Sequence, residues 1–246
     1  MILGMTKMAA ILAGVGLLAS GAAQATLHDR GGGLIYDDVL KITWLKDANY
    51  AQTSGYDDDG NMDWSAAKAW AAGLSYFDSV RNVTWTDWRL PTLGPIGASF
   101  NYNWSNNGTT DVGTGNTSQN SEMAYMFYVN LGLKGYCTPD NPNPSSCTWQ
   151  WGGGVGAGPT APFDNVVPDE YWSDTAYAPD PANLAWMFDF DYGDQLGYFG
   201  GAYAWAVRPG DVAAAGEVPE PMSLALFGAG LAGLALGRRR RSLGAL

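Results

Sequence analysis

The sequence predicts a single α+β domain between residues 26 and 212, with short antiparallel strands, two helices and long loops. Apolar residues alternate on both sides of an Asp37-Asp38 turn in residues 32–44, which is typical of a β-hairpin. A helical periodicity follows Asp63, and aromatic segments with strand-like alternation occupy the last third of the domain. A domain of this size can bury a core of its own.

Two segments carry helix signatures. Asp63 stands at an N-cap position, and the apolar residues after it at helical spacing predict a helix over residues 63–74. Ser121 is the predicted N-cap of a second helix, over residues 121–131. Residues 94–119 are rich in Gly, Asn, Ser and Thr and have no apolar periodicity, which predicts a long surface loop.

Strands are predicted at four aromatic segments. The first covers residues 85–91 and ends in Arg-Leu-Pro. The other three begin at Tyr171, cover residues 185–190 and cover residues 203–207, and we expect these three to be neighbouring antiparallel strands. Tryptophans in the regular segments are predicted to belong to the core, and Arg89 and Arg208 to pair with structural carboxylates.

Residues 1–25 have the pattern of a secretory signal peptide. Lys7 precedes the apolar run 8–18, and Ala23 and Ala25 are the small residues that signal peptidase reads. Cleavage is therefore expected after Ala25. The alternative is a retained membrane span, which would need about 20 apolar residues.

A second apolar segment follows the domain. Residues 213–217 are small and are predicted to form a tether, and residues 222–237 carry no charge. A helix over residues 222–237 would be roughly 24 Å long against a hydrocarbon core of about 30 Å, so it spans only with local thinning or snorkelling. The basic run that follows predicts a cytoplasmic end; it consists of Arg238, Arg239, Arg240 and Arg241.

The domain is strongly acidic. Residues 26–217 contain 8 basic and 23 acidic side chains, a net charge of −15. This field repels nucleic acids and sulfated or uronic polysaccharides, and it favours cations and neutral ligands.

The residue inventory argues against an enzyme. His28 is the single histidine and lies close to the expected cleavage site, so no Ser-His-Asp, Cys-His or histidine-zinc arrangement is available. Paired carboxylates could serve a glycosidase, but no spacing distinguishes two of the 23 acids. A non-enzymatic protein is the prediction.

Residues 57–63 are the candidate calcium site. Oxygen-bearing side chains alternate at Asp57, Asp59, Asn61 and Asp63, as a hard cation requires. The spacing does not fit an EF-hand, and Asp63 is also the predicted helix cap. A solvated acidic turn is the alternative.

Two further predictions concern loops. Cys137 and Cys147 enclose a Pro-, Asn- and Ser-rich stretch, and in an oxidising compartment they are expected to form a disulfide; a reactive or metal-binding pair is the alternative. Aromatic rings in irregular segments are candidates for stacking on a glycan. These are Tyr102, Trp104, Trp149 and Trp151.

The C-terminal region resembles the PEP-CTERM sorting signal. The resemblance is carried by Val218-Pro219-Glu220-Pro221, followed by the apolar segment and the arginine run, residues 218–241 in all. It implies recognition of Pro219, Glu220 and Pro221 by exosortase while the apolar helix holds the precursor in the membrane. Carriers of this signal are Gram-negative proteins associated with exopolysaccharide and biofilm.

The domain itself resembles the Lcl C-terminal domain family, long catalogued as a domain of unknown function. This resemblance implies a fold related to C-type lectins. It departs from the family after Thr92, and the net charge argues against the sulfated polyanions that the name-giving adhesin recognises. The similar segments are Asp63-Trp64-Ser65-Ala66-Ala67, Asp87-Trp88-Arg89-Leu90-Pro91-Thr92, Tyr171-Trp172-Ser173-Asp174-Thr175, residues 185–190 and Ala206-Val207-Arg208.

Together these patterns predict an exported surface or matrix protein, processed by signal peptidase and exosortase, whose lectin-like domain serves adhesion or binds neutral glycan and not nucleic acid. A structural matrix component without a ligand is the alternative. A polysaccharide-acting enzyme is the third.

Overall fold

Residues 26–135 and 160–212 are described in a computed structural model of the protein, and most of their regular structure is β-strand. The strands are β1 (Leu27–Asp29), β2 (Leu34–Asp37), β3 (Ile42–Leu45), β4 (Asn61–Met62), β5 (Tyr76–Asp78), β6 (Val83–Trp85), β7 (Trp104–Ser105), β8 (Val112–Thr114), β9 (Glu170–Ala176), β10 (Ala185–Asp189), β11 (Asp194–Tyr198), β12 (Ala202–Tyr203) and β13 (Val207–Pro209). The helices are α1 (Tyr50–Thr53), α2 (Trp64–Gly73) and α3 (Glu122–Tyr125), and α3 continues as a π-helix over Met126–Asn130. The mixed class with few helices is as predicted.

The predicted hairpin is confirmed. Strands β2 and β3 pair antiparallel, with Ile35 opposite Trp44. Asp37 shapes the turn, because its Oδ1 accepts hydrogen bonds from the N–H groups of Val39 and Leu40, both at 2.9 Å. β1 pairs with β2, and β13 pairs antiparallel with β3, so the last described strand completes the sheet that the first three begin.

The second sheet has seven strands in the order β4-β12-β9-β10-β11-β8-β7. The first two of the three aromatic segments form β9 and β10, which are antiparallel neighbours as expected. The prediction for residues 203–207 was wrong. The chain leaves this sheet after Tyr203, where β12 pairs parallel with β9, and enters the four-stranded sheet at Val207. β11 was not predicted, because Asp194 to Tyr198 does not alternate in polarity.

Two other predictions need correction. Residues 94–119 are not a surface loop throughout, since β7 and β8 extend the seven-stranded sheet and Val112, Gly113 and Thr114 are buried. These strands are too short for a periodicity to show among the surrounding Asn and Gly residues. Residues 85–91 do not form a strand, because β6 ends at Trp85 and a single bridge joins Arg89 to Val207.

The predicted helix over 63–74 is confirmed as α2. The Asp63 carboxylate accepts a hydrogen bond from Ala66 N at 2.9 Å, and Ala67, Trp70 and Ala71 are buried. The helix predicted over 121–131 is present as α3 and its π-helical continuation.

The side chain of Ser121 does not cap α3, although the residue is at the N-cap position. Its hydroxyl donates instead to Gln195 Oε1 at 2.8 Å. The short helix α1 was not predicted.

The core is aromatic and joins both sheets at Trp205, which is fully buried. Its indole N–H donates to the carbonyl oxygen of Leu45 in β3 at 2.8 Å. The ring packs against Trp44 of β3 and Phe163, with ring centroids 4.8 Å away in each case, and against Tyr171 of β9 at 6.0 Å. The tryptophans predicted for the core are buried, except for Trp64 and Trp85, which are half-buried.

Arginines in the signature segments pair with carboxylates, as predicted. Arg89 donates two hydrogen bonds to Glu122, both at 2.7 Å, and Glu122 also accepts from Thr92 N at 2.7 Å. Arg208 forms a similar pair with Asp87, at 2.8 and 3.0 Å. The Arg89 pair ties the Arg-Leu-Pro-Thr segment to the start of α3.

The substitution Glu122→Gln is expected to lower the free energy of unfolding by about 2–3 kcal/mol, because it leaves a largely buried guanidinium without its charge partner. Urea unfolding followed by tryptophan fluorescence measures this. Asp164→Asn is the matched control, since it breaks the more exposed ion pair with Lys46 and is expected to cost less than about 1 kcal/mol. Equal losses in the two variants would contradict the structural role of the Arg89 pair.

Candidate functional site

Exposed aromatic side chains in the described residues lie at four places. Tyr102 and Trp104 lie on the segment before β7 and on β7 itself, Phe199 follows β11, Phe77 lies on the β5-β6 hairpin, and Tyr56 follows α1. The first place also has the larger depression, an open cleft of about 700 Å³. Its lining combines two aromatic rings with hydroxyl and amide side chains: Ile96, Gly97, Ser99, Phe100, Asn101, Tyr102, Asn103, Thr109 and Asp111.

The buried carboxylate of Asp111 shapes this cleft. One oxygen accepts a hydrogen bond from Ile96 N at 2.7 Å and the other from Asn101 N at 2.6 Å. The backbone carbonyl of Asp111 accepts from the side-chain amide of Gln195 at 2.7 Å, and Gln195 in turn accepts from Ser121. The cleft-forming segment is therefore connected by hydrogen bonds to β11 and to the start of α3.

A stack of aromatic rings supports the cleft wall. The ring of Tyr102, 38% exposed, lies nearly parallel to that of the fully buried Trp186, with centroids 6.0 Å apart and an interplanar angle of 17°. Tyr177 packs edge-on against both rings, and Phe100 lies 5.3 Å from Trp186. The ring of Tyr102 is thus supported by the buried Trp186 and remains partly exposed to solvent.

Polar side chains in the cleft differ in whether they already make hydrogen bonds within the protein. The hydroxyl of Thr109 donates to Asn107 at 2.7 Å. The side chains of Ser99 and Asn103 make no hydrogen bond within the described residues, so a hydroxyl and an amide are available to a ligand.

The structure describes two of the four predicted glycan-contact residues. Trp104 is 48% exposed, and its indole N–H donates to Asn106 Oδ1 at 2.7 Å, which fixes the ring. Trp149 and Trp151 lie outside the described residues, as do Cys137 and Cys147, so the disulfide stays a prediction. Ala23, Ala25 and residues 213–241 also lie outside them.

A glycine makes the β7-β8 pairing possible. Gly113 has φ 111°, and a Cβ atom there would lie 2.0 Å from the carbonyl oxygen of Ser105. The parallel register, with Trp104 opposite Val112, therefore requires glycine at this position. Gly113 lies within residues 94–119, which were predicted to form a surface loop.

A smaller groove of about 230 Å³ lies between the start of α2 and the end of β11. Trp64 and Phe199 line it, together with Asp63, Ser65 and Asn183. More of its polar side chains make hydrogen bonds within the protein than those of the cleft do. The indole of Trp64 donates to Ser173 O at 2.7 Å, and Asn183 donates to Asp180.

The predicted calcium ligands point largely at their own backbone. Asp57 accepts from Gly60 N at 2.8 Å, Asp59 from Asn61 N at 2.9 Å, and Asp63 from Ala66 N. The bonds from Gly60 N and Ala66 N hold the pKa of Asp57 and Asp63 below the ordinary value. The oxygen of the Asn61 side chain lies against Gly201.

Within residues 26–135 and 160–212, no three His, Cys, Asp or Glu side chains are grouped as metal ligands. Calcium binding at residues 57–63 stays a prediction.

A cluster of carboxyl groups that the sequence patterns do not predict lies at one end of the central strands, with Asp189 and Asp194 buried and Glu170 half-buried. Asp189 of β10 lies opposite Glu170 of β9, and Asp194 begins β11. Burial raises the pKa of Asp189 to about 6 and that of Asp194 to about 7, where the charge of Asp189 adds to the effect. Burial and a hydrogen bond with Asp169 raise the pKa of Glu170 to about 8. None of these carboxyl groups lines the cleft or the groove.

Residues 217–241 match a family model described as the PEP-CTERM protein-sorting motif. The chain carries a sorting signal. The resemblance seen at residues 218–241 is thereby confirmed, and the signal indicates an exported protein that exosortase processes from a membrane-anchored precursor.

The other comparisons give no relatives. No curated protein and no solved structure matches the chain. Among the described residues, no helix is long and apolar enough to cross a membrane.

The buried carboxyl groups predict a pH dependence of stability. Their pKa values are higher in the folded state than the value near 4 of the unfolded chain, so folding favours the protonated forms. The stabilisation is complete below about pH 4 and is lost as the pH rises through the range of about 6 to 8. Counting the two buried groups Asp189 and Asp194, and leaving out the half-buried Glu170, we expect the free energy of unfolding to fall by on the order of 3 kcal/mol between about pH 5 and pH 8.

Urea titrations at several pH values measure this slope. Asp194→Asn, which keeps the shape of the side chain and removes its ionisation, is expected to flatten it. The control Asp58→Asn removes an exposed carboxylate and is expected to retain the wild-type slope. Identical slopes in all three proteins would contradict the assignment.

Proposed function

We propose that this is an exported, exosortase-processed surface or matrix protein whose folded domain binds a neutral glycan, without catalysis, at the cleft beside Tyr102. The observation that carries the proposal is the exposed Tyr102 ring on its buried Trp186 base, next to the uncommitted side chains of Ser99 and Asn103. An aromatic face and nearby hydroxyl and amide groups match the apolar face and the hydroxyl groups of a sugar ring.

Charge supports a neutral ligand. The net charge of −15 over residues 26–217 opposes sulfated and uronic polymers as well as nucleic acid. The cleft contributes no basic side chain that could offset this field, since its lining is aromatic, amide, hydroxyl and one committed carboxylate.

The resemblance of the domain to the Lcl C-terminal domain family also supports this proposal. The segments similar to the Lcl C-terminal domain family occupy structural positions, including the Arg89–Glu122 and Arg208–Asp87 pairs. A C-type-lectin-like fold is therefore proposed for the domain. The proposed setting is the exopolysaccharide or biofilm matrix of a Gram-negative bacterium, where adhesion follows from glycan binding.

The non-catalytic part of the proposal has chemical support. His28, the single histidine of the chain, pairs with Asp38 at 3.2 Å, away from the cleft residues. The carboxyl groups with raised pKa values lie outside the cleft lining. Two alternatives remain as outcomes of the test: a structural matrix component without a ligand, and an enzyme that acts on polysaccharide.

Tyr102→Ala is expected to weaken glycan binding about 5- to 30-fold, because a stacked ring contributes on the order of 1–2 kcal/mol. A screen of neutral and acidic glycans, with and without calcium, selects the ligand, and isothermal titration calorimetry measures the variants. Phe199→Ala is the matched control, since it removes a more exposed ring outside the cleft.

The outcomes of this experiment distinguish the proposed site from the two alternative functions. Equal loss in the two variants would move the site away from Tyr102. No binding to any glycan would overturn the proposal and favour the structural alternative, for which self-association in the same samples is the positive sign. Release of shortened sugars would favour the enzyme.

The sorting part is tested separately. Replacing Pro219, Glu220 and Pro221 by alanine is expected to leave the precursor unprocessed and associated with the membrane in a host that has exosortase. Immunoblots of membrane and extracellular fractions detect the change in size and location. Ser223→Ala, just beyond the triplet, is the control, and normal processing of the triple variant would contradict recognition at these residues.

A further inference from the structure

The β5-β6 hairpin exposes three apolar side chains within ten residues. Phe77 is 58% exposed, Val80 in the turn is 62% exposed and Val83 is 41% exposed. The other exposed large apolar side chains of the described residues are all distant in sequence from the hairpin, and no other segment of these residues carries three of them. A surface of this kind commonly marks an interaction site.

The hairpin is rigid and docked on the domain. The fully buried Asp78 accepts hydrogen bonds from Val80 N at 3.0 Å and from Trp85 Nε1 at 3.3 Å, and it pairs with Arg81 at 2.8 Å. The hydroxyl of Tyr76 donates to the carbonyl oxygen of Gly32. The exposed side chains are therefore held out from a fixed base.

The hairpin also lies beside the point where the chain leaves the described domain. Arg81 donates to the carbonyl oxygen of Arg30 at 2.8 Å, and the guanidinium of Arg30 binds Asp211 through two hydrogen bonds of 3.0 and 2.5 Å. The guanidinium of Arg208 stacks on Trp85 at 4.1 Å. The Arg208–Trp85 contact connects the hairpin directly to the last described residues before the sorting signal, and Arg30 connects it to them indirectly through Asp211.

The length of the intervening chain places this end of the domain near the bilayer. Nine residues, 213–221, separate Val212 from the apolar segment that begins at Met222. Fully extended, they reach about 30 Å. In the membrane-anchored precursor the hairpin is therefore within reach of the lipid surface.

Local charge allows such a contact. Four of the eight basic residues of the domain lie around this end. Arg30, Arg81 and Arg208 neutralise the carboxylates of Asp211, Asp78 and Asp87, and the backbone carbonyl of the exposed Lys41 accepts from Gly210. Ion pairing thus neutralises three of the carboxylates at this end of the domain.

We infer that the tip of the β5-β6 hairpin inserts Phe77, Val80 and Val83 into the bilayer surface of the anchored precursor and so holds the domain in one orientation on the membrane. The tether keeps the local lipid concentration high, so a contact too weak to bind a free domain is sufficient. The inference rests on the membrane-anchored precursor and is independent of glycan binding.

The test uses the full chain reconstituted in lipid nanodiscs of phosphatidylethanolamine with a minority of phosphatidylglycerol. Para-fluorophenylalanine is placed at position 77 and, as a matched control, at position 199, where the native phenylalanine is 74% exposed. Phe199 lies beside the groove at the N-terminal end of α2. The hairpin begins beyond the C-terminal end of α2, which is about 15 Å long. Fluorine NMR then measures relaxation with and without a spin-labelled lipid whose label is near the headgroups.

The spin-labelled lipid is expected to accelerate relaxation severalfold at position 77 and to have little effect at position 199. The double variant Val80→Ser with Val83→Ser is expected to reduce the effect at position 77, while an unchanged thermal unfolding curve shows that the exposed substitutions leave the fold intact. Equal relaxation at the two positions would overturn the inference. Line broadening at position 77 that depends on protein concentration and not on the labelled lipid would overturn it in favour of a second copy of the chain.

Discussion

The structure depends on the crossing of the chain from one sheet to the other at Ala204, Trp205 and Ala206, all fully buried. Before the crossing, β12 pairs with β9 in the seven-stranded sheet, and after it β13 pairs with β3 in the four-stranded sheet. The Trp205 ring contacts aromatic side chains of both sheets, and its N–H binds the carbonyl of Leu45. Trp205 therefore lies where the two sheets join and contributes to fixing their relative position.

The candidate site depends on this arrangement through a chain of polar contacts. Gln195 of β11 binds Ser121 at the start of α3 and the backbone of Asp111, and Asp111 holds the segment that forms the cleft. Trp186 of β10 carries the Tyr102 ring. A loop with little regular structure of its own is thus positioned by the two central strands, which is how binding loops on rigid scaffolds are commonly arranged.

Sequence patterns predicted those parts that local chemistry determines. The Asp37 turn, the Asp63 cap and the buried face of α2 follow from interactions within a few residues, so the hairpin and the helix were predicted correctly. The pairing partners of short strands depend on distant residues. β7, β8 and β11 leave almost no periodicity, and their positions were missed.

The site was predicted in the same uneven way. Tyr102 and Trp104 were identified because aromatic residues in irregular segments are conspicuous, and both are exposed. The supporting role of Asp111 was not predicted, and neither were the carboxyl groups of β9 to β11 that have raised pKa values. Nothing in a domain with 23 acidic residues between positions 26 and 217 distinguishes the few that become buried, since burial follows from the tertiary fold.

The place of β13 in the sheet order has a consequence for export. The strand completes a sheet begun by the first residues of the domain, and it ends at Pro209, only a few residues before the sorting signal. A chain that crosses the membrane from its N-terminus cannot close this sheet until almost all of it has emerged. Closure of the sheet and arrival of the apolar segment at the membrane are therefore late and closely spaced events.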